Sequence, residues 1–263
     1  MPQDILLRAD EGAIATLTLN APERLNALSL AMLDALARAF ADLAADPAIR
    51  VVVLRAAGRA FSAGHDLREI QAARAAPDGG AAGFARLFDR CAAVMQAIPA
   101  LPQPVIAEVQ GVATAAGCQL VASCDMAVAA DGARFGVNGV NIGLFCATPM
   151  VALTRAIAPR AAFEMLVTGE MIDAARAREL GLVNRVVPAD RLRAETRALA
   201  ATIAAKRMAA VRIGKEAFHA QAGLPLAEAY RLAGAAMVTN LMRPETAGDI
   251  DAFLDRRPAR QDP

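Results

Sequence analysis

The sequence predicts an α/β body followed by an all-helical C-terminal region, and three observations carry that prediction. Residues 51–54 and 105–109 are apolar runs of strand length, and each leads through a turn of small residues into a segment with helical spacing. Strand-like and helix-like segments alternate as far as Ala189, and a unit of two strands and a helix recurs loosely, without a clean repeat of solenoid length. After Ala189 the stretches 190–205, 207–220, 225–242 and 245–255 all read as helix, with breaks at Gly223, Pro225 and Pro244. The expected organisation is a core over residues 1–195 and a helical region over 196–263. A helical region without a core of its own packs on something, often another subunit.

Taken in order, residues 5–7 and 14–19 flank Asp10-Glu11-Gly12 and predict a hairpin. Ser29 reads as an N-cap, with Leu30, Leu33, Leu36, Ala37, Phe40 and Leu43 at helical spacing up to Asp46-Pro47. A strand is expected over 50–55 and a helix over 67–74. Residues 72–83 are Ala, Gly, Pro and Asp with little to bury, which predicts a mobile loop beside the site. A helix over 84–98 is expected to close at Pro99, Pro102 and Pro104. Strands follow at 105–109, 126–130, 134–136 and 183–187, and helices at 149–157, 161–168 and 173–180, the last stopped by Gly181.

Composition removes several functions. A net charge of +1 with one Tyr and no Trp offers neither a broad basic surface nor a stacking platform for nucleic acid. No apolar run is long enough for a membrane span, since Gln119 and Asp125 interrupt the best one, residues 112–130. Cys91, Cys118, Cys124 and Cys146 show no CxxC pairing and His65 and His219 stand alone, so no metal site is expected and the thiols read as reduced core residues. No GxGxxG or Walker pattern supports a nucleotide-binding module. Asp4, Asp10 and Glu11 occupy the place of a basic signal-peptide start, so the expected compartment is the cytoplasm.

Two turns remain as candidates for chemistry. Phe61-Ser62-Ala63-Gly64-His65-Asp66-Leu67 joins the first apolar strand to a helix, and Ala113-Thr114-Ala115-Ala116-Gly117-Cys118-Gln119-Leu120 repeats that logic after the second. Helix entrances leave backbone N–H groups unpaired, and with the helix dipole they suit a negatively charged oxygen. Small side chains let a ligand approach the main chain. On its own the first turn reads better as a plain connection capped by Asp66; the second turn changes the balance. Arg24, Arg55, Arg59 and Arg68 lie near the first turn in sequence and form either a phosphate-binding cluster or ordinary solvated surface.

Six stretches, in order, resemble the crotonase (enoyl-CoA hydratase/isomerase) superfamily. They are Asn20-Ala21-Pro22 with Leu25-Asn26-Ala27-Leu28; the first turn; Gly111 with Ala116-Gly117-Cys118 and Cys124-Asp125; Ala133-Arg134-Phe135-Gly136; Gly169, Ala174 and Ala177 with Gly181-Leu182-Val183-Asn184; and Phe253-Leu254-Asp255-Arg256-Arg257-Pro258. The resemblance implies a spiral of ββα units with a C-terminal helical region that makes homotrimers or hexamers. It implies an acyl-CoA thioester as ligand in fatty acyl-CoA metabolism, with coenzyme A carried by the substrate and no separate cofactor. The thioester carbonyl would accept the backbone N–H groups of His65 and Ala116, which steady an enolate-like species. Contacts to the CoA moiety would come from Arg24, Ala63, His65, Asp66, Leu67 and Arg68, and from Phe253 and Arg256 of a neighbouring subunit.

The sequence departs from the family where a hydratase holds two glutamates. The matching positions are Gln119 and Gly139. An amide cannot take a proton near pH 7, and a positioned general acid or base contributes about 10²–10⁴-fold. Asn138 and Asn141 flank the second vacancy, and Asp66 and Glu108 are the nearest carboxylates in sequence; Asp66 reads as a cap and Glu108 can face either side of its strand. One branch of the superfamily shares both replacements. Two functions therefore stand: a crotonase-family enzyme that does not use the two-glutamate mechanism, with Gln119 orienting water or substrate, and a non-catalytic acyl-CoA-binding or assembly protein.

Overall fold

Residues 4–255 are described by a computed structural model, and they fall into two compact units that divide between Ala205 and Lys206. The first unit opens with the antiparallel hairpin β1 (Leu6–Glu11) and β2 (Ile14–Leu19), paired from Leu6↔Leu19 to Glu11↔Ile14. It continues through a 3₁₀ turn at Pro22–Arg24, α1 (Leu30–Ala44), β3 (Val51–Ala56), β4 (Ala60–Ser62), α2 (Leu67–Ala73) and α3 (Ala81–Ala100). Next come β5 (Val105–Val109), β6 (Val112–Thr114), α4 (Ala116–Ser123), β7 (Met126–Ala130), β8 (Arg134–Gly136) and a 3₁₀ turn at Asn138–Ile142. Then follow α5 (Ala147–Ala156), α6 (Pro159–Thr168), β9 (Ile172–Asp173), α7 (Ala174–Leu180), β10 (Arg185–Val187) and α8 (Leu192–Ala204).

The recurring unit has a structural meaning. Its first strand joins a six-stranded sheet of order β1-β2-β3-β5-β7-β10, and its second joins a four-stranded sheet of order β4-β6-β8-β9. Neighbours from β2 to β10 in the larger sheet pair in parallel. After the opening hairpin, each β–β step of this unit therefore moves from the larger sheet to the smaller, and the chain winds as a spiral. Both faces of the larger sheet are covered, which explains its continuous apolar runs. Val52, Leu54 and Ala107 pack in the cluster that includes Met32, Leu36 and Phe40 of α1 and Cys91 and Val94 of α3. Val51, Val53, Ile106 and Val128 form a second cluster with Leu192 and Ala200 of α8.

That second cluster explains why the division falls beyond the boundary expected at 195: α8 covers the sheet's far face and belongs to the core. Two other expectations shift. Ser29 caps α1 as expected, its hydroxyl accepting from Met32 N at 3.2 Å. The loop expected over 72–83 is shorter, because Asp78 accepts from Gly80 N at 3.0 Å and Ala82 N at 2.8 Å and starts α3 at Ala81. Pro99 lies inside α3 rather than ending it, and Leu101 N still donates to Ala97 O at 2.9 Å.

The second unit holds α9 (Met208–Gln221), α10 (Leu226–Leu241) and α11 (Pro244–Asp255). Arg207 grips Asp249 with two bonds of 2.6 Å. Leu226, Tyr230 and Met242 are 75%, 74% and 78% exposed, far more apolar surface than single exposed residues account for. Among the described residues no helix is long and apolar enough to cross a membrane, and no cluster of side chains could hold a metal ion.

Candidate functional site

The first turn is fastened from below by residues 20–28. Leu25 and Asn26 take left-handed conformations, with φ of 52° and 51°, and fold the segment back under the turn. Asn26 is fully buried; its Oδ1 accepts from Ala21 N at 2.9 Å, and its Nδ2 donates to Ala57 O at 2.8 Å and Ala60 O at 2.9 Å. Ser62 Oγ donates to Asn26 O at 2.8 Å and accepts from Gly64 N at 3.3 Å. Ala63 N donates to Leu25 O at 3.0 Å, and Leu28 N to Gly64 O at 2.7 Å. The stretch 20–28 is thus the scaffold of the first turn. Asp66 caps α2, accepting from Arg68 N at 2.9 Å, and its other oxygen lies 3.5 Å from Arg24 Nη1.

The second turn holds Ala115 at φ 50° and ψ −121°, a conformation that favours glycine. Its N–H donates to Gly136 O at 2.9 Å, its carbonyl accepts from Gln119 N at 3.0 Å, and Ala116 opens α4 in full burial. The two turns abut. Gly64 sits at φ +86°, and a Cβ there would lie 2.9 Å from Ala115 Cβ and 3.1 Å from Ala116 N. A Cβ at Gly117 would lie 2.3 Å from Ser62 O. Glycine at these two positions lets the turns touch. The main-chain N–H groups of His65 and Ala116, both at helix entrances, donate to no acceptor among the described residues.

Side chains around the turns have distinct states. His65 Nδ1 lies 3.2 Å from Leu28 O, an acceptor, which puts the imidazole proton on Nδ1. The ring meets Phe88 edge-on at 5.6 Å, and Nε2 is buried without a partner. Burial pushes the His65 pKa down, so the ring is neutral near pH 7. Gln119 is 4% exposed, and its Oε1 faces the Cys91 thiol at 4.0 Å. Burial pushes that thiol up to about 12, so it stays protonated.

Gly139 is closed to any side chain: a Cβ there would lie 2.2 Å from Leu144 O and 2.8 Å from Cys146 Sγ. The amides beside it are committed. Asn138 Oδ1 accepts from Thr114 Oγ1 at 2.7 Å, and Asn141 Nδ2 donates to Gly169 O at 3.3 Å. Glu108 lies in register with Ile106, on the face of β5 that α8 covers. There burial raises its pKa, opposed by Arg55, a Thr196 hydrogen bond and Arg193. It takes no part in the turns.

Of the predicted residues, Ala63, Gly64, His65, Asp66 and Ala116 come together, with Gln119 one turn along α4. Arg24 joins them through Asp66, while Leu67 and Arg68 stand exposed on α2. The basic cluster does not assemble as a whole. Arg55 alternates onto the sheet's far face with Val51 and Val53 and donates to Thr18 Oγ1 at 3.0 Å. Phe253 lies in the second unit, 67% exposed, and Arg256 lies outside the described residues. Phe88 and Cys91 of α3, and Leu144 and Cys146 beyond β8, were missed as neighbours of the site. For Phe88 and Cys91 the sequence signal is the helical periodicity of α3.

The sequence matches the Enoyl-CoA hydratase/isomerase family over residues 9–261. It is 44% identical to the Xenopus laevis enoyl-CoA hydratase domain-containing protein 3, over 94% of this chain and 82% of that protein. A Mycobacterium smegmatis enoyl-CoA hydratase crystal structure superposes with a TM-score of 0.93 at 52% identity, covering 97% of this chain and 98% of that one. The human enoyl-CoA hydratase domain-containing protein 3 gives 0.91 at 42% identity, covering 97% and 98%. These relatives overturn one expectation. The proteins of that name at 42–44% identity are designated mitochondrial, so the cytoplasmic placement drawn from Asp4, Asp10 and Glu11 does not stand. Fold, motif order and relatives agree: the chain belongs to the crotonase, or enoyl-CoA hydratase/isomerase, family, whose members bind acyl-CoA thioesters.

Proposed function

We propose that this chain binds an acyl-CoA thioester with the carbonyl oxygen between the His65 and Ala116 amides, and that any turnover passes through an enolate held there. The observation that carries this reading is the pair of unpartnered main-chain donors on two helix entrances, which Gly64 allows to abut. Fixed donors stabilise developing charge without reorganising, and removing one such donor costs about 10²–10³ in rate. Arg24 and Arg68, with the main chain of Ala63, Asp66 and Leu67, would face the CoA moiety. Phe253 and Arg256 would come from a neighbouring copy in a homotrimer or hexamer, a self-association that the apolar exposure of Leu226, Tyr230 and Met242 supports.

Two-glutamate hydration is not part of this reading. Gln119 cannot exchange a proton near pH 7, and the backbone packing at Gly139 leaves no room for a carboxylate. That closure favours a second reading, an acyl-CoA binder without turnover. Calorimetry with butyryl-CoA and with free CoA tests the thioester site: the thioester should bind more tightly, and equal affinity would remove the role given to the two amides. Crotonyl-CoA, followed by loss of its enoyl-thioester absorbance, tests the rest. Fast hydration that survives Gln119→Ala would defeat the claim about the missing acids, and turnover of any thioester in a panel decides for an enzyme over a binder.

A further inference from the structure

The two amides of the site are held in different ways. The Ala116 N–H belongs to a peptide whose carbonyl, on Ala115, accepts from Gln119 N at 3.0 Å, so the first turn of α4 orients it. The His65 N–H belongs to the peptide that starts at Gly64. Gly64 precedes Asp66, the N-cap of α2, so no bond of that helix reaches its carbonyl. Glycine at φ +86° also lowers the barrier to turning this peptide over. A turned peptide would point its N–H away from the Ala116 amide. The donor on this side therefore depends on contacts from outside α2.

Residue 28 supplies them. Leu28 N donates to Gly64 O at 2.7 Å. Across a trans peptide the C=O and N–H point opposite ways, so this bond directs the His65 N–H away from Leu28. His65 Nδ1 in turn lies 3.2 Å from Leu28 O. Two hydrogen bonds thus close a ring between residues 28 and 65, one to the peptide and one from the imidazole of the residue that carries the donor. Leu28 is itself a fixed post, fully buried and next to Ser29, the N-cap of α1. Glu69 Oε2 on α2 accepts from Leu30 N at 3.0 Å and ties the helix to the same stretch.

Among the described residues the imidazole makes no other hydrogen bond. Its Nε2 is buried without a partner, a penalty that an aliphatic side chain packed on Phe88 would avoid. The bond to Leu28 O is what the ring adds over such a side chain. Resting on the acyl-CoA reading above, we infer that the His65 imidazole is a positioning residue: its bond to Leu28 O locks the Gly64–His65 peptide with the N–H turned into the thioester site. The ring acts through the main chain of Leu28 and not through the ligand. A donor locked in this way needs no reorganisation when charge gathers on the thioester oxygen.

Paired calorimetric titrations of the full chain with butyryl-CoA and free CoA test this through the ratio of the two affinities. His65→Leu keeps an apolar contact with Phe88 but has no donor, and should lower the ratio about tenfold, equivalent to about 1.4 kcal/mol. His65→Asn places an amide Nδ2 where Nδ1 lies and should bring the ratio back to within about threefold of the unaltered protein. A merely structural role would weaken both ligands together and leave the ratio alone. Nitrogen NMR of the unaltered protein adds a reading that needs no variant, since the imidazole proton should sit on Nδ1. A ratio unchanged in His65→Leu, one lowered as far in His65→Asn, or a proton found on Nε2 overturns the inference and leaves the thioester site standing. Butyryl-CoA binding no tighter than free CoA in the unaltered protein overturns the underlying reading and the inference with it.

Discussion

Around Gly64 the chain is fastened by side chains. Asn26 joins three backbone groups, Ser62 two, and Asp66 caps the following helix. At Ala115 the bonds are main-chain ones, to Gly136 O and from Gln119 N, with a part-buried side-chain bond beside it from Thr114 Oγ1 to Asn138 Oδ1, and the residue itself is held in a conformation that alanine resists. One turn is specified by buried polar chemistry, and the other is imposed by its neighbours. Buried polar networks are costly to break in part, because each orphaned group keeps its full desolvation penalty. The first turn should therefore fail steeply when a fastening residue is removed, and the second should respond weakly.

Asn26→Ala gives the largest effect. Ala60 O keeps a partner in Gln110 Nε2 at 3.1 Å, but Ala21 N loses its acceptor. Ala57 O loses the Nδ2 donor that reached it at 2.8 Å. One buried and one part-buried group left unsatisfied predict a loss of about 2–3 kcal/mol, read as a lower urea midpoint at unchanged slope. A loss under about 1 kcal/mol would mean that the first turn does not depend on its side chains.

Gly64→Ala comes next. The substitution needs a positive φ and places a methyl 2.9 Å from Ala115 Cβ and 3.0 Å from Thr114 O. Overpacking of this kind costs about 1–3 kcal/mol and drives the two turns apart. The reading of a shared oxygen site then requires butyryl-CoA affinity to fall more than free CoA affinity does, in paired titrations. Equal losses would show that the turns need not touch for the thioester to bind.

This difference in construction also explains what the sequence could show. Ser29 and Asp66 were legible as caps, and α1 by its periodicity, because capping and amphipathicity are local. The partnership of the two turns was legible through the small residues on both sides. Sorting of the first and second strands of each unit into separate sheets was not, since it depends on register between strands far apart in the chain. Glu108 and Arg55 could not be assigned a face until α8 covered one side of β3 and β5. Gly139 read as a lost glutamate, but the filling of its vacancy by Leu144 O and Cys146 Sγ is tertiary and leaves no local trace. Asp78-Gly79-Gly80 did carry a local trace, a cap for α3, and the expected loop passed over it.

A pH profile gives a smaller effect on the first turn. Burial lowers the His65 pKa in the folded chain below its ordinary value of 6.5. Between the folded and unfolded values the unfolded chain binds the extra proton, so this contribution is complete above 6.5 and declines as pH falls below it. His65→Gln removes the titration, and its amide can still donate to Leu28 O. Unfolding midpoints from pH 7.5 to 5 should therefore fall more for the unaltered protein than for the variant. Parallel profiles would show that the ring charges in the folded state without penalty, and that it is not held neutral by the turn.

Ala115→Gly should have the smallest effect, and its sign tests the contrast directly. Relief of a non-glycine residue from φ 50°, ψ −121° recovers part of the roughly 1–3 kcal/mol such conformations cost, while glycine's freedom in the unfolded chain returns about 0.4–1 kcal/mol. The balance is a gain of under about 1 kcal/mol, or about 2–4 °C at most in melting temperature for a chain of this size. The Ala115 methyl, however, lies against the place where a Gly64 side chain would project. If that contact holds the turns in register, Ala115→Gly lowers both the melting temperature and butyryl-CoA affinity, and the second turn is then fastened by a side chain after all, the smallest one available.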